Sequence, residues 1–93
     1  MKDKIVFEFD LGVVGLGYVG LPLAVEAANN KLNVLGYDIN SERVENINNG
    51  KSPIEDISDK ELFKSLKYFQ ATFDSEKLSK CENIVISVPT PLT

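Results

Sequence analysis

The sequence predicts an α/β domain in which helices cover both faces of a parallel sheet. Short apolar runs alternate along the chain with segments of helical periodicity. A glycine-rich turn joins the first apolar run to the first helix, and 93 residues suffice for one hydrophobic core. Because parallel strands are joined by right-handed crossovers, the expected spatial order of the four strands is 3-2-1-4.

The first half of the chain contains two strand–helix pairs. Apolar runs predict strands over residues 11–14 and 32–37. A helix over about residues 19–29 connects them, and Ser41 is the expected N-cap of a second helix. The apolar residues on one face of that second helix are Val44 and Ile47.

The second half predicts a third helix and two further strands. The segment 58–61 has the capping-box pattern, and alternation over residues 69–73 is typical of an edge strand. Asp74 or Ser75 is expected to cap one short helical turn, and residues 83–88 predict a last buried strand. The expected buried stripe of the third helix is Leu62, Phe63 and Leu66.

The segment 4–10, ahead of the first strand, has no assignment. Ile5, Phe7 and Phe9 occupy alternate positions, a pattern that suits an edge strand. An added edge strand and a leader without sheet pairing are both open.

Composition and charge exclude several classes of protein. Apolar residues make up 43% and charged residues 26%, close to the averages of soluble globular domains. The net charge of −4 leaves no basic stripe for a nucleic acid. One cysteine and no histidine provide neither a disulfide nor a zinc cluster, so no metal is expected. The single cysteine suits a reducing, cytoplasmic protein. No apolar run approaches the roughly 20 residues of a spanning helix, so no membrane contact is expected.

The segment Gly15-Leu16-Gly17-Tyr18-Val19-Gly20 is a G-x-G-x-x-G run between the first strand and the first helix. In such a turn, Gly15 permits the tight bend, Gly17 lets the backbone approach a pyrophosphate, and Gly20 allows close packing of helix and strand. The free N–H groups and the dipole of the helix start attract the anion. With an acid at the end of the second strand, the run predicts a Rossmann-type dinucleotide site.

Asp38 ends the second strand, where a carboxylate accepts hydrogen bonds from both hydroxyls of the adenosine ribose. The 2′-phosphate of NADP would face this carboxylate at about 4 Å, at a cost of roughly 1 to 4 kcal/mol. NAD is therefore the expected cofactor. Arg43 argues against this, because it could accommodate that phosphate; it could equally lie over the adenine or ribose, or be a solvated helix residue.

Further segments carry a family resemblance. They are residues 15–24, residues 37–40 with Arg43, residues 49–55, and the final stretch 87–93, which reads S-V-P-T-P-L-T. Together they resemble the UDP-glucose/GDP-mannose dehydrogenase family over residues 11–93. The stretch Ser-Pro-Ile-Glu-Asp-Ile is more similar to bacterial UDP-N-acetylhexosamine dehydrogenases than to UDP-glucose enzymes.

The resemblance implies a set of residues that contact NAD. Within that set, Thr90 is expected near the nicotinamide side, in a turn at the carboxyl ends of the strands, where open α/β sheets bind ligands. A rigid proline turn is the alternative explanation of that segment. The implied set is Gly15, Leu16, Gly17, Tyr18, Val19, Gly20, Asp38, Arg43, Val88, Pro89, Thr90 and Pro91.

The resemblance also implies oxidation of the C6 alcohol of a UDP-sugar to a carboxylate, in two NAD-dependent steps through a cysteine-bound intermediate. None of the family's catalytic residues matches this stretch, and Cys81 is interpreted as a small buried hydrophobe. Residues 1–93 are thus expected to be the N-terminal part of an NAD-binding domain, inactive alone. A sugar site and a homo-oligomer are expected only in the full-length protein.

Several alternatives stay open. The loop 51–56 is either a surface connection or close to the substrate, and Tyr18 either flanks the cofactor or packs. A non-catalytic dinucleotide sensor and a β-hydroxyacid type dehydrogenase are the competing functions. The latter usually has a methionine near Tyr18 or Val19, which is missing here. An exposed strand edge after only four strands predicts self-association or weak NAD binding.

Overall fold

The computed structural model describes residues 6–87, which form one four-stranded sheet with every strand parallel to its neighbours. The order β3-β2-β1-β4 confirms the predicted 3-2-1-4 arrangement. The strands are β1 (Phe9–Val14), β2 (Val34–Tyr37), β3 (Phe69–Thr72) and β4 (Cys81–Ile86). The helices are α1 (Gly20–Asn29), α2 (Ser41–Asn48), α3 (Asp59–Ser65) and a 3-10 helix, Ser75–Lys80.

The two faces of β1 are covered by different elements. A Cβ atom at Gly20 of α1 would lie 3.3 Å from Val13 Cγ1, so Val13 faces α1. A Cβ atom at Gly12 would lie 3.3 Å from Leu78 Cδ2 in the 3-10 helix. Because successive residues of a strand point to opposite faces, helical elements lie on both sides of the sheet, as predicted.

The main hydrophobic core lies where β1–β3 meet the three α-helices. Leu21 of α1, Ile47 of α2 and Leu62 of α3 are all fully buried in it. Leu16 of the glycine-rich turn is also fully buried, so the turn is anchored in the core by its own side chain. Within residues 6–87, no helix has the length and apolarity needed to cross a membrane.

Side chains cap the starts of α2 and α3. The Ser58 hydroxyl accepts a hydrogen bond from Glu61 N, and a Glu61 carboxylate oxygen accepts one from Ser58 N, each at 3.1 Å, which confirms the capping box. In α2 the prediction of Ser41 as N-cap is wrong. Asn40 is the cap, because its extended backbone lets Oδ1 accept Arg43 N at 3.0 Å, and Ser41 becomes the first helical residue.

The expected buried stripe of α3 is wrong at Phe63, whose side chain is 70% exposed. Leu62 faces the core, and the next residue of a helix lies about 100° further around the axis. Ser65, three residues after Leu62, takes the second buried position, and Leu66 is only partly buried against the core.

The last strand differs from its prediction in both position and burial. β4 begins at Cys81 rather than at residue 83, and Cys81 is its single buried residue. Ile84 is 49% exposed and Ile86 is 70% exposed. The apolar run indicated burial, but within residues 6–87 only β1 pairs with this strand. Val88, the predicted end of the strand, lies outside the described residues.

The structure assigns part of the segment 4–10, which the sequence left open. Phe9 and Asp10 are the first residues of β1, which therefore starts two residues before the predicted strand. Residues 6–8 form no separate strand, while residues 4 and 5 lie outside the described range.

Candidate dinucleotide-binding site

The glycine turn, residues 15–20, leaves β1 through a backbone conformation that side chains rarely adopt. Gly15 has a φ of 99°, and its N–H donates to the carbonyl oxygen of Tyr37 on β2 at 2.8 Å. Glycine reaches this left-handed region without the strain of a Cβ atom. The prediction that Gly15 makes the tight strand-to-helix bend is confirmed.

The other two glycines serve different spatial needs. A Cβ atom at Gly20 would overlap the carbonyl oxygen of Gly15 and lie 2.8 Å from its carbonyl carbon, so α1 starts too close to the turn for any side chain. At Gly17 a Cβ atom would meet only Arg43 Nη1, at 3.8 Å. Gly17 thus borders open space, where a ligand can approach the backbone directly.

The start of α1 presents backbone donors to this space. Leu21 N donates to the carbonyl oxygen of Gly17 at 3.1 Å, which closes the first helical turn. The amides of residues 17–20 donate no hydrogen bond to another group within residues 6–87. Free N–H groups at the positive end of a helix dipole are the donors that bind phosphate oxygens in proteins.

Asp38 follows β2 and lies directly beside the glycine turn. Its Oδ2 atom accepts a hydrogen bond from Leu16 N at 2.9 Å, and its Oδ1 atom accepts one from Asn40 N at 2.9 Å. The residue is only 9% exposed. An ionised carboxylate has about four acceptor positions, so about two remain for other donors. Two hydroxyl groups of a ribose match that remaining capacity.

Arg43 reaches the same place from the first turn of α2. Its Nη1 atom lies 3.6 Å from Asp38 Oδ2, and the same atom is the nearest neighbour of a Cβ atom built on Gly17. The side chain is about one-third exposed, so the ion pair adds little to stability. Its positive charge nevertheless lies over the glycine turn, which distinguishes Arg43 from an ordinary solvated helix residue.

A cleft of about 330 Å³ opens over Gly17 and Arg43. Tyr18 and Val19 project from the glycine turn with exposed fractions of 72% and 71%, so Tyr18 lies on the cleft wall and does not pack in the core. The residues that line the cleft are Gly17, Tyr18, Val19, Arg43, Pro53, Ile54 and Ser87.

Three of these lining residues were not among the predicted contacts of NAD, although proximity of the loop 51–56 to the substrate was left open. Ser87 follows β4, and Pro53 and Ile54 belong to the loop 51–56, which therefore forms one wall of the cleft. The loop is held in place by its own contacts: Ser52 Oγ donates to the carbonyl oxygen of Ile54 at 2.8 Å, and Ser52 N donates to Asp59 Oδ1 at 2.8 Å. The available signal was the apolar Ile54 within a polar loop, but nothing local indicates which element it meets.

The other residues that the sequence analysis singled out lie either in the core or at the end of the chain. The side chain of Leu16 is fully buried, so only its backbone belongs to the site. Cys81 is buried at the start of β4, and this burial raises the pKa of its thiol. Val88, Pro89, Thr90 and Pro91 lie outside the described residues.

The parallel sheet, the glycine turn and the carboxylate at the end of β2 define a dinucleotide-binding domain of the Rossmann type. A profile of the UDP-glucose/GDP-mannose dehydrogenase family, NAD binding domain, matches residues 9–93. The chain belongs to this family and corresponds to its NAD-binding domain. Membership separates it from the dinucleotide sensors and the β-hydroxyacid type dehydrogenases that the sequence left open.

Relatives of this chain act on N-acetylated sugar nucleotides. The chain is 38% identical over 85 residues to a UDP-N-acetyl-D-glucosamine 6-dehydrogenase of Salmonella typhi, and 40% identical over 92 residues to an enzyme of that name from Pseudomonas aeruginosa. These alignments cover 91% and 99% of the chain. The chain spans about a fifth of the length of these relatives, 20% in each case.

Solved structures share the fold. A UDP-D-ManNAc dehydrogenase from Pyrococcus horikoshii superposes with a TM-score of 0.82 at 38% identity, over 90% of this chain and 21% of that one. A ternary complex of GDP-mannose dehydrogenase from Pseudomonas aeruginosa gives a TM-score of 0.81 at 30% identity, over 89% of this chain and 20% of that one.

Proposed function

We propose that this chain supplies the NAD-binding part of a nucleotide-sugar 6-dehydrogenase whose substrate is a UDP-N-acetylhexosamine. The proposal rests chiefly on one contact, the hydrogen bond from Leu16 N to Asp38 Oδ2. That bond places a carboxylate with free acceptor capacity against a glycine turn with free amides, the two groups that a dinucleotide needs at adjacent positions. The names of the N-acetylhexosamine relatives support the choice of sugar.

The described residues fit NAD. The amides of residues 17–20 would bind the pyrophosphate, and Asp38 would accept hydrogen bonds from the hydroxyls of the adenosine ribose. Arg43 would add positive charge on the wall of the cleft. A Cβ atom at Gly17 would meet only Arg43 Nη1, at 3.8 Å, so phosphates would approach the backbone at this position without a side chain in the way. The contacts of Val88, Pro89, Thr90 and Pro91 stay a prediction.

The bound dinucleotide would accept hydride from the sugar C6 position, in a reaction that converts the alcohol to a carboxylate. The residues described here bind and orient the cofactor, and no catalytic role is proposed for them. Residues 1–93 would be the N-terminal part of the NAD-binding domain, with the sugar site and the catalytic residues elsewhere in a longer protein. That protein would be a cytoplasmic homo-oligomer that supplies uronate precursors for polysaccharide biosynthesis.

A calorimetric titration of the chain with NAD and with NADP tests this function. We expect NADP to bind about tenfold more weakly or worse, because its 2′-phosphate would face the Asp38 carboxylate. The substitution Gly17→Val should abolish NAD binding, since its side chain would fill the open space over the turn. Its unfolding midpoint should stay near that of the unsubstituted chain, because a Cβ atom at Gly17 meets nothing closer than 3.8 Å. Equal binding of both nucleotides, or wild-type affinity in Gly17→Val, would contradict the proposal.

A further inference from the structure

We infer that Asp38 is a positioning residue for the pyrophosphate-binding amides, in addition to its proposed contact with the ribose. The inference rests on the proposed function and deepens it. Asp38 would then contribute to the binding of ligands that it does not touch, because it holds the backbone that binds them.

Leu16 is the link between Asp38 and the donors. It lies between Gly15 and Gly17, and its side chain is fully buried, so close to β2 that a Cβ atom at Gly36 would lie 2.7 Å from Leu16 Cδ2. Its amide is held by Asp38 Oδ2 at 2.9 Å. Leu16, which precedes the free amides, is therefore held by the burial of its side chain and by the hydrogen bond of its amide. Only the hydrogen bond depends on Asp38.

The second oxygen of Asp38 extends the same arrangement to α2. Oδ1 accepts Asn40 N at 2.9 Å, and the Asn40 side chain in turn caps α2 by accepting Arg43 N at 3.0 Å. One carboxylate therefore connects the glycine turn to the start of the helix that carries Arg43. Removal of the carboxylate would leave the amides of Leu16 and Asn40 without partners. Both the glycine turn and the start of α2 would then lose a restraint.

Two ligands separate positioning from direct contact. ADP carries the ribose hydroxyls and the diphosphate, whereas 2′,3′-dideoxy-ADP carries the diphosphate and lacks the hydroxyls. If Asp38 acts only through the ribose, Asp38→Ala should weaken ADP binding and leave dideoxy-ADP binding unchanged. We expect dideoxy-ADP to bind about tenfold more weakly to Asp38→Ala, with a larger loss for ADP.

Asp38→Asn provides a second, isosteric variant in case Asp38→Ala fails to fold. The amide of asparagine has one acceptor oxygen for the two backbone N–H groups that the carboxylate serves. The affinity of Asp38→Asn for dideoxy-ADP should lie between the affinities of the unsubstituted chain and of Asp38→Ala. This graded recovery is expected for positioning and not for a general loss of stability.

Hydrogen exchange in the ligand-free chain, followed by NMR, tests the contact itself. The Leu16 amide should exchange about tenfold faster in Asp38→Ala and by a smaller factor in Asp38→Asn, while the Glu61 amide in the capping box of α3 should be unaffected. Asp10→Asn is the matched control. Asp10 Oδ2 accepts Asn33 N at 2.8 Å beside the opposite ends of β1 and β2, so its loss should change neither Leu16 exchange nor dideoxy-ADP affinity.

The inference is overturned if Leu16 exchange is unchanged in both Asp38 variants, or if dideoxy-ADP affinity is unchanged in both. It is also overturned if Asp10→Asn weakens dideoxy-ADP as much as Asp38→Asn does. A chain that binds neither ADP nor NAD would overturn the proposed function, and the exchange measurement would then still decide whether Asp38 holds the turn.

Discussion

The two edge strands of the sheet have opposite environments. In β3, Phe69 is 3% exposed and Ala71 is 3% exposed, and the Asn48 side chain bonds to both backbone groups of Ala71, at 2.9 and 3.0 Å. That amide acts as a substitute for a neighbouring strand. In β4, by contrast, Ile84 and Ile86 are 49% and 70% exposed, and no strand within residues 6–87 pairs with the outer edge.

The difference shows that an apolar sequence does not by itself place a strand in the interior. The outer half of β4, residues 84–86, is as apolar as a buried strand of a parallel sheet, which is normally covered on both faces. Natural proteins protect exposed edges with charges, bulges or covering elements. β3 has such protection from α2, and β4 lacks it among the described residues, so β4 is the edge at which a further element would join this sheet.

The largest expected effect on stability comes from replacing a large apolar side chain by alanine in each edge strand, Phe69 in β3 and Ile86 in β4. Phe69→Ala should lower the free energy of unfolding by about 3 to 5 kcal/mol, because a buried aromatic side chain is replaced by a cavity. Ile86→Ala should change it by only about 0.5 kcal/mol, because the side chain is largely solvated. Urea denaturation followed by circular dichroism measures both values. Equal losses would show that β4 is covered in solution.

The contact that closes the β3 edge can be removed alone. Asn48→Ala should lower the free energy of unfolding by about 1 to 3 kcal/mol, since both backbone groups of Ala71 lose a partner. Asn46→Ala, an exposed asparagine of the same helix, is the control and should stay within about 0.5 kcal/mol of the unsubstituted chain. If the two variants are equally stable, Asn48 does not protect the edge.

The open β4 edge predicts concentration-dependent self-association of the chain. Ile86→Lys should shift the weight-average mass in sedimentation experiments towards the monomer, because a charged side chain disfavours edge-to-edge pairing. Phe63→Lys, on the exposed face of α3, serves as a control for the loss of an apolar surface residue. Equal shifts in both variants would indicate general hydrophobic association, and a monomer at high concentration would refute the prediction.

The smallest expected effect concerns Cys81, the one buried residue of β4. Burial raises the pKa of its thiol, so at pH 8 the folded chain should react with iodoacetamide more slowly than the urea-unfolded chain. The stabilising effect of the protonated thiol is fully present below the pKa of the unfolded state and is lost as the pH rises through the folded value. Alkylation of the folded chain at the unfolded rate would show that the start of β4 opens freely.

Local patterns in the sequence were enough to determine much of this protein. The glycine spacing, the capping box at Ser58 and the alternation of strands and helices predicted the strand order and the family. These features depend on backbone geometry and on neighbours a few residues apart, so a single segment carries the signal. The N-cap of α2 was one local prediction that failed: Asn40 takes the position predicted for Ser41, and both residue types cap well.

Only the tertiary structure decided which distant residues meet. Leu16 N and Asp38 are 22 positions apart, and Asn48 and Ala71 are 23 positions apart, so no periodicity within a segment brings them together. The placement of Pro53 and Ile54 on the cleft and the exposure of β4 likewise depend on which element lies opposite each segment. Side-chain type and spacing set what each segment can form, whereas burial and contact at the site are properties of the assembled sheet and its covering helices.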